Sequence, residues 1–197
     1  MKLFRKRTLT MAKEKTIVLA VGHYKKNQGA VHTVTNITEW QINTMLVKAV
    51  SDKLSVDGWK VTVIDNLSLP RKVKTINSIN PLICIDFHCN AFDEKAAGHE
   101  VLYYFGSLEG LLLSMCISSC MKTNQDRSIK AVTTQDGSYF LGNTKPIAAL
   151  IESFFIDNAE DFHNAFFDMN NLVRDIVAGI NIYYAYSTHL RRSTLNI

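Results

Sequence analysis

Short apolar runs alternate with longer amphipathic stretches along most of the 197-residue chain. The short runs are typical of strands, and apolar side chains that recur every three or four positions are typical of helices. The predicted strands are Thr16–Val21, Lys60–Ile64, Leu82–His88, Glu100–Phe105 and Ile147–Ile151. The predicted helices span 38–56, 71–79, 108–123 and 159–186, the last with one break allowed, and a hairpin-like stretch is predicted over 129–141.

Strands that alternate with helices indicate a single α/β domain with a twisted, mostly parallel sheet and helices on both faces. Apolar residues make up 47% of the chain and charged residues 20%, which suffices for an ordinary hydrophobic core. We expect a basic, flexible N-terminal segment over 1–15, the folded domain over 16–186 and a C-terminal tail over 187–197. In such sheets, functional groups gather where loops leave the carboxyl ends of the strands.

Charge and hydropathy exclude several classes of function. The net charge is only +4, and no regular spacing of basic and aromatic residues predicts a nucleic-acid groove, so we expect no nucleic-acid partner. No segment approaches the roughly 18 apolar residues of a membrane span, and we expect neither membrane insertion nor a signal peptide. The natural start stays open between Met1 and Met11. The four cysteines, Cys84, Cys89, Cys116 and Cys120, are expected to be reduced thiols.

Polar side chains with catalytic potential stand at the predicted strand ends. His23, His88 and Glu152 each follow a strand, and Glu39 opens the first long helix. Two histidines and a carboxylate, with one position left for water, form a known catalytic zinc set, and a further carboxylate can act as general base. Each residue also has a plain structural explanation, and the spacing matches no short zinc signature. The residues alone therefore leave a metal hydrolase and an ordinary structural role open.

Five sequence blocks, in order, carry a resemblance over Thr16–Tyr186. They are Gly22-His23 with Gly29-Ala30, Glu39, DFHCNA (Asp86–Ala91), GHEVLYY (Gly98–Tyr104) and KPIAALIESFFIDNAED (Lys145–Asp161). The sequence thereby resembles the type-3 family of zinc-dependent N-acetylmuramoyl-L-alanine amidases, which are found among bacterial autolysins and phage endolysins.

This resemblance implies a set of roles. His23, Glu39 and His88 would bind one Zn²⁺ per chain, and Glu152 would be the catalytic carboxylate. The implied reaction is cleavage of the peptidoglycan amide bond between the lactyl group of N-acetylmuramic acid and L-alanine of the stem peptide, by zinc-activated water with a glutamate general base. Among further residues, Asn90 would shape the pocket or orient the substrate. For Arg127, substrate contact and a structural role stay open.

The sequence departs from the family pattern around the first histidine. Family members usually carry an acidic residue before the Gly-His pair and glycines after it, whereas this chain has Ala20-Val21 before and Tyr24-Lys25-Lys26 after. We therefore expect a hydrogen-bond partner for His23 to come from elsewhere in the chain, and the Lys/Tyr loop to alter the rim of the substrate groove.

Two alternatives to the amidase stay open: a zinc peptidase that cuts within the stem peptide, and a non-catalytic cell-wall-binding module. The expected partner is peptidoglycan, and the expected oligomeric state is a monomer. A phage endolysin would wait in the host cytoplasm before lysis and then act at the cell envelope. A bacterial enzyme would instead be exported to the cell wall or periplasm by a route that the sequence does not identify.

Overall fold

A computed structural model describes residues 14–136 and 138–194, with side chains described as far as residue 189. The strands within these residues are β1 (Thr16–Val21), β2 (Lys60–Ile64), β3 (Ile83–Asn90), β4 (His99–Tyr104), β5 (Asp126–Val132) and β6 (Ile147–Phe155). The helices are α1 (Glu39–Val56), α2 (Leu69–Ile79), α3 (Leu108–Cys120), α4 (Tyr139–Asn143), α5 (Ala159–Phe167) and α6 (Met169–Thr194). The predicted N-terminal segment lies almost entirely outside the described residues.

The strands form one six-stranded sheet in the order β2-β1-β3-β6-β4-β5. Strands β2, β1, β3 and β6 are parallel to one another. Strand β4 pairs antiparallel with β6 and parallel with β5, so β4 and β5 run opposite to the other four strands. The expected α/β fold with a mostly parallel sheet is confirmed. The carboxyl ends of β1, β3 and β6 consequently meet at one edge of the sheet.

The predicted hairpin over 129–141 is wrong. Strand β5 pairs parallel with β4, and the chain between them forms α3, so the connection is a helical crossover rather than a tight turn. After β5 the chain forms the short helix α4, whose Phe140 and Leu141 are buried. The local sequence does not show the direction of the pairing strand, and this caused the error.

Local signals explain where the helices begin and end. Helix α1 has a complete capping box, in which the Thr38 side chain accepts the backbone N–H of Gln41 and the Gln41 side chain accepts that of Thr38. The allowed break in the last helix occurs at Asp168, the C-cap of α5. Helix α6 then continues to Thr194, into the stretch that the sequence predicted as a tail.

Apolar side chains are buried on both faces of the sheet. The larger cluster joins one face to α1, α3, α5 and α6, and the smaller cluster joins the other face to α2 and α4. All four cysteines are free, and Cys84, Cys89 and Cys116 are buried. Among the described residues, no helix has the length and apolar character that crossing a membrane requires.

Candidate metal centre and catalytic carboxylate

Three side chains predicted as metal ligands meet at the carboxyl edge of the sheet. One donor atom from each of His23, Glu39 and His88 lies within 4.8 Å of the others. The two histidines contact different oxygens of one carboxylate: His23 Nε2 lies 2.9 Å from Glu39 Oε2, and His88 Nδ1 lies 3.0 Å from Glu39 Oε1. The structure thus brings together residues from the loop after β1, the start of α1 and the end of β3.

The backbone around His23 allows this close approach. His23 follows β1 directly after Gly22 and has φ of 62°, a conformation that non-glycine residues rarely adopt outside functional or tightly constrained sites. A Cβ atom on Gly29, whose φ is 74°, would lie 2.4 Å from Glu39 Oε2 and 2.6 Å from the His23 ring. Glycine at position 29 therefore leaves room for the two donor groups to meet.

Glu39 is the most enclosed member of the group, with only 4% of its side chain exposed. It is the first residue of α1, and its carboxylate accepts the backbone N–H groups of Ala30 at 3.2 Å and Cys89 at 3.1 Å. Burial raises the pKa of Glu39, but the hydrogen bonds and charges of His23 and His88 outweigh this and lower it to about 2. The carboxylate is therefore ionised and fixed in orientation.

His88 is held between two carboxylates. Its Nδ1 faces Glu39, and its Nε2 lies 3.3 Å from Asp86 Oδ2. Burial lowers the pKa of His88, but the Asp86 charge and the hydrogen bonds to Asp86 and Glu39 outweigh this and raise it to about 10. In the metal-free protein at neutral pH, the His88 ring therefore carries the positive charge that balances the acidic groups.

The donor set fits a zinc ion. Imidazole nitrogen and carboxylate oxygen are ordinary zinc ligands, and bonds of about 2.0–2.1 Å in a tetrahedron place neighbouring donors roughly 3.3 Å apart. The two observed contacts, at 2.9 and 3.0 Å, are of similar size, and one donor atom from each of the three residues lies within 4.8 Å of the others. Three protein ligands leave a fourth position open, as in catalytic rather than structural zinc sites.

Glu152 lies beside this group and inside β6, rather than after it as the sequence predicted. It is paired in register with His88 on β3 and with Glu100 on β4. Its Oε2 atom is buried and has no hydrogen-bond partner among the described residues. Burial raises the pKa of Glu152, the His88 charge lowers it, and the charges of Glu39, Glu100 and Asp86 raise it, with a result of about 7. A carboxyl group with this pKa both accepts and donates a proton near neutral pH.

A cleft of about 300 Å³ opens beside the two histidines. Apolar groups form most of its walls, with Tyr24, Leu67, Leu69, Tyr139, Phe140 and Leu150 among the lining residues. This volume lies at the lower end of the range for ligand pockets, which combine apolar walls with a few polar groups. Tyr24 belongs to the loop after His23 that was expected to alter the rim of the groove.

The two predicted substrate-binding residues have contacts within the protein. Asn90 ends β3, and its side-chain oxygen accepts the Ala91 backbone N–H at 3.0 Å. Arg127 donates from Nε to Glu100 at 2.8 Å, and its guanidinium lies 5.0 Å from the centre of the Phe155 ring. These contacts give Arg127 a structural role next to the partner strand of Glu152. Substrate contact by either residue stays a prediction.

Sequence reasoning missed two residues beneath the site, Asp86 and Lys72. Asp86 lies two positions before His88, so both side chains project from the same face of β3. This alternation is visible in the sequence and would have indicated that the aspartate contacts the histidine. Lys72, on α2, forms a buried ion pair with Asp86, with Nζ 2.8 Å from Oδ1. No local sequence pattern predicts that contact, because it joins two separate elements, α2 and β3.

The chain matches the model of one protein family over most of its length. The model of the N-acetylmuramoyl-L-alanine amidase family matches residues 17–182. The chain belongs to this amidase family. The match spans nearly all of the region over which the sequence resemblance was found, and includes every residue of the candidate site.

Solved structures of an endolysin domain and of amidases share the fold. The catalytic domain of an endolysin that targets Clostridia difficile is 30% identical, with a TM-score of 0.76 over 85% of this chain and 97% of that one. The catalytic domain of the amidase CwlV from Bacillus (Paenibacillus) polymyxa var. colistinus is 22% identical, with a TM-score of 0.77 over 86% and 97%. The CwlD amidase from Clostridioides difficile, solved in complex with the GerS lipoprotein, is 21% identical, with a TM-score of 0.78 over 88% and 100%. A search of curated proteins finds no match.

Proposed function

We propose that the chain is a zinc-dependent hydrolase of peptidoglycan, which cleaves the amide bond between the lactyl group of N-acetylmuramic acid and L-alanine of the stem peptide. The observation that carries the proposal is the position of Glu152, which pairs in register with His88 and interacts electrostatically with His88 and Glu39. Its Oε2 atom is buried and has no hydrogen-bond partner within the described part of the chain. Membership of the amidase family supplies the substrate class.

The side chains of the site have complementary tasks. His23, Glu39 and His88 would hold the ion, which when bound polarises a carbonyl oxygen and lowers the pKa of water toward about 7. Glu152 takes a proton from water, at the Oε2 atom that has no hydrogen-bond partner among the residues described, as the water oxygen bonds to the carbonyl carbon. The protonated Glu152 then donates that proton to the alanine nitrogen as the amide bond breaks. Its raised pKa suits both steps, because the same group must accept and release a proton.

The cleft provides a place for the substrate next to these groups. Both histidines line it, so a chain segment bound there would lie against two of the three proposed metal ligands. Its mostly apolar walls suit the methyl groups of a lactyl-alanyl linkage and the aliphatic parts of a stem peptide. A bond at the junction of glycan and peptide is therefore compatible with the space beside the site.

Product analysis tests the proposal. The purified chain would be incubated with peptidoglycan, with and without a zinc chelator, and the products identified by mass spectrometry. We expect chelator-sensitive release of intact stem peptides that begin with L-alanine, while the glycan strands stay whole. Fragments cut within the stem peptide would instead establish a peptidase. Intact peptidoglycan together with one bound zinc per chain would indicate a binding module.

We further propose that the chain acts as a phage endolysin, in the host cytoplasm before lysis and at the envelope afterwards, and as a monomer. The 30% identity to an endolysin catalytic domain supports this setting. Expression in a susceptible bacterium tests it: cells should stay intact until the membrane is permeabilised and then lyse rapidly. Lysis without permeabilisation would favour an exported bacterial enzyme, and sedimentation analysis would check the monomer.

A further inference from the structure

A buried lysine joins the two strands that lead to the histidines. Lys72, in the first turns of α2, is only 3% exposed, and its Nζ donates to the Val21 carbonyl at 2.7 Å and to both Asp86 oxygens at 2.8 and 3.1 Å. Val21 is the last residue of β1, two positions before His23, and Asp86 lies on β3, two positions before His88. One ammonium group thus contacts both strands just beneath the candidate metal centre.

Asp86 in turn contacts the histidine above it. Its Oδ2 lies 3.3 Å from His88 Nε2, while the opposite ring nitrogen, Nδ1, lies 3.0 Å from Glu39 Oε1. The two nitrogens of an imidazole are not equivalent, and the hydrogen bond made by one decides which of them binds a metal. With Nε2 held by Asp86, the nitrogen that faces the donor group is Nδ1.

Stability alone gives little reason for this ion pair. Removing two charges from water is costly, and well-packed apolar side chains in place of a buried pair are often equally stable or more so. Both side chains are nearly inaccessible, at 3% exposure for Lys72 and 1% for Asp86. A role in orienting a ligand explains why the two charges lie at this place, directly below His88.

We propose that Asp86 and Lys72 are positioning residues of the metal centre. Asp86 fixes the His88 ring so that Nδ1 binds the ion, and Lys72 fixes Asp86 while it ties that carboxylate to the end of the strand that leads to His23. The inference rests on the proposed function only in taking His23, Glu39 and His88 as zinc ligands. It adds two residues on which metal affinity, rather than folding, depends.

Zinc affinity of the full chain tests the proposal, measured by competition with a chromophoric chelator. In the double variant Lys72→Met/Asp86→Val, both charges are removed together, so no unpaired charge stays buried. We expect it to fold and to bind zinc about 10–100-fold more weakly than the wild type, the usual cost of losing the partner of a ligating histidine. The double variant Lys72→Met/Asp86→Asn keeps an oxygen that accepts from His88 Nε2–H, and should recover most of the lost affinity.

A matched control is the exposed pair Lys48–Asp52 on α1, with Nζ 2.8 Å from Oδ2. The variant Lys48→Ala/Asp52→Ala also removes one charge of each sign and should bind zinc like the wild type. The inference is overturned if Lys72→Met/Asp86→Val binds zinc as tightly as the wild type, and metal-free unfolding curves verify that each variant is folded. Wild-type protein that binds no zinc would overturn the metal centre itself, and the inference with it.

The coordinating nitrogen provides a second readout that needs no variant. In zinc-loaded wild-type protein, ¹⁵N–¹H correlation spectra of the imidazoles report which nitrogen of His88 keeps its proton. We expect the proton on Nε2, shared with Asp86, and the metal on Nδ1. Coordination through Nε2 would overturn the inference, whether or not the double variants fold.

Discussion

Glu152 lies directly opposite His88 in the register of β6 and β3. The two side chains share one electrostatic environment, since the charge of His88 lowers the pKa of Glu152 while buried surroundings and three nearby carboxylates raise it. In the metal-free protein a proton on His88 supplies the positive charge, and in the loaded protein the ion would do so. The pairing keeps the proposed base next to a cation in both states.

Replacing the proposed base should separate chemistry from metal binding. In Glu152→Gln, we expect hydrolysis of peptidoglycan to fall by about 10²–10⁴-fold, because the amide cannot take a proton from water. Zinc content should stay at the wild-type level, since Glu152 is not part of the donor group. Dye release from labelled peptidoglycan and metal analysis measure the two quantities. The exposed Glu160→Gln on α5 is the control, and near-normal hydrolysis by Glu152→Gln would exclude its role as base.

Zinc binding should release a proton. The pKa of His88 in the metal-free protein is raised to about 10, so the ring is protonated at pH 7, whereas a metal ligand must be neutral. We expect about one proton to leave per zinc bound, and affinity to rise about tenfold for each pH unit between pH 6 and pH 8. Calorimetry in two buffers of different ionisation enthalpy counts the protons. Binding without release would contradict a protonated His88.

The stability of the metal-free protein should depend on pH through Glu152. Folding raises the pKa of this group from 4.5 to about 7, so the folded chain holds the proton more tightly than the unfolded chain. Its stabilising contribution is therefore complete below pH 4.5 and is lost as the pH rises through 7.

The comparison with Glu152→Gln isolates this contribution. Relative to that variant, we expect the wild type to lose about 2–3 kcal/mol of unfolding free energy between pH 5 and pH 8. Urea unfolding of both proteins in the presence of a chelator measures the difference. A constant difference across this range would show that Glu152 has an ordinary pKa.

Two glycines with similar backbones should respond differently to alanine. Gly29 has φ of 74° and Gly58 has φ of 82°, but an added Cβ would meet Glu39 and His23 at position 29 and nothing within 4 Å at position 58. Both substitutions should destabilise the fold by about 1–3 kcal/mol through backbone strain. Only Gly29→Ala should also weaken zinc binding, by about tenfold or more, as expected when ligands are displaced. Equal zinc affinities in the two variants would show that the site tolerates the extra atom.

The sequence predicted the sheet's first two strands and helix α1 well because their signals are local. Residues Thr16–Val21 and Lys60–Ile64 form strands with the predicted bounds, and Thr38 caps α1. Strand direction could not be predicted from the sequence, because whether β5 pairs parallel or antiparallel with β4 depends on how the connection through α3 crosses the sheet. The sequence also predicts too early an end for the strand that contains Glu152, because a charged residue within an apolar run resembles a strand boundary.

The candidate site could likewise be predicted only in part from local sequence patterns. Strand ends and histidines could be located from the hydrophobic pattern, but the choice of Glu39 over other acids came from resemblance to the amidase family. The start of α1 packs on the sheet edge and thereby brings the Glu39 carboxylate to the histidines. The carboxylate also accepts the backbone N–H groups of Ala30 and Cys89. The Lys72–Asp86 pair depends on how α2 packs on the sheet, which no local pattern records.

The three donor groups come from separate parts of the chain, and Glu39 and His88 are 49 positions apart in sequence. An unfolded chain would have to close long loops to bring the three groups together, and this closure costs conformational entropy. A zinc ion bound by these groups would therefore be captured after the topology has formed, not as a nucleus around which the chain collapses. Under the proposed function, a polypeptide made where free zinc is scarce would reach its native fold first and gain activity when metal arrives.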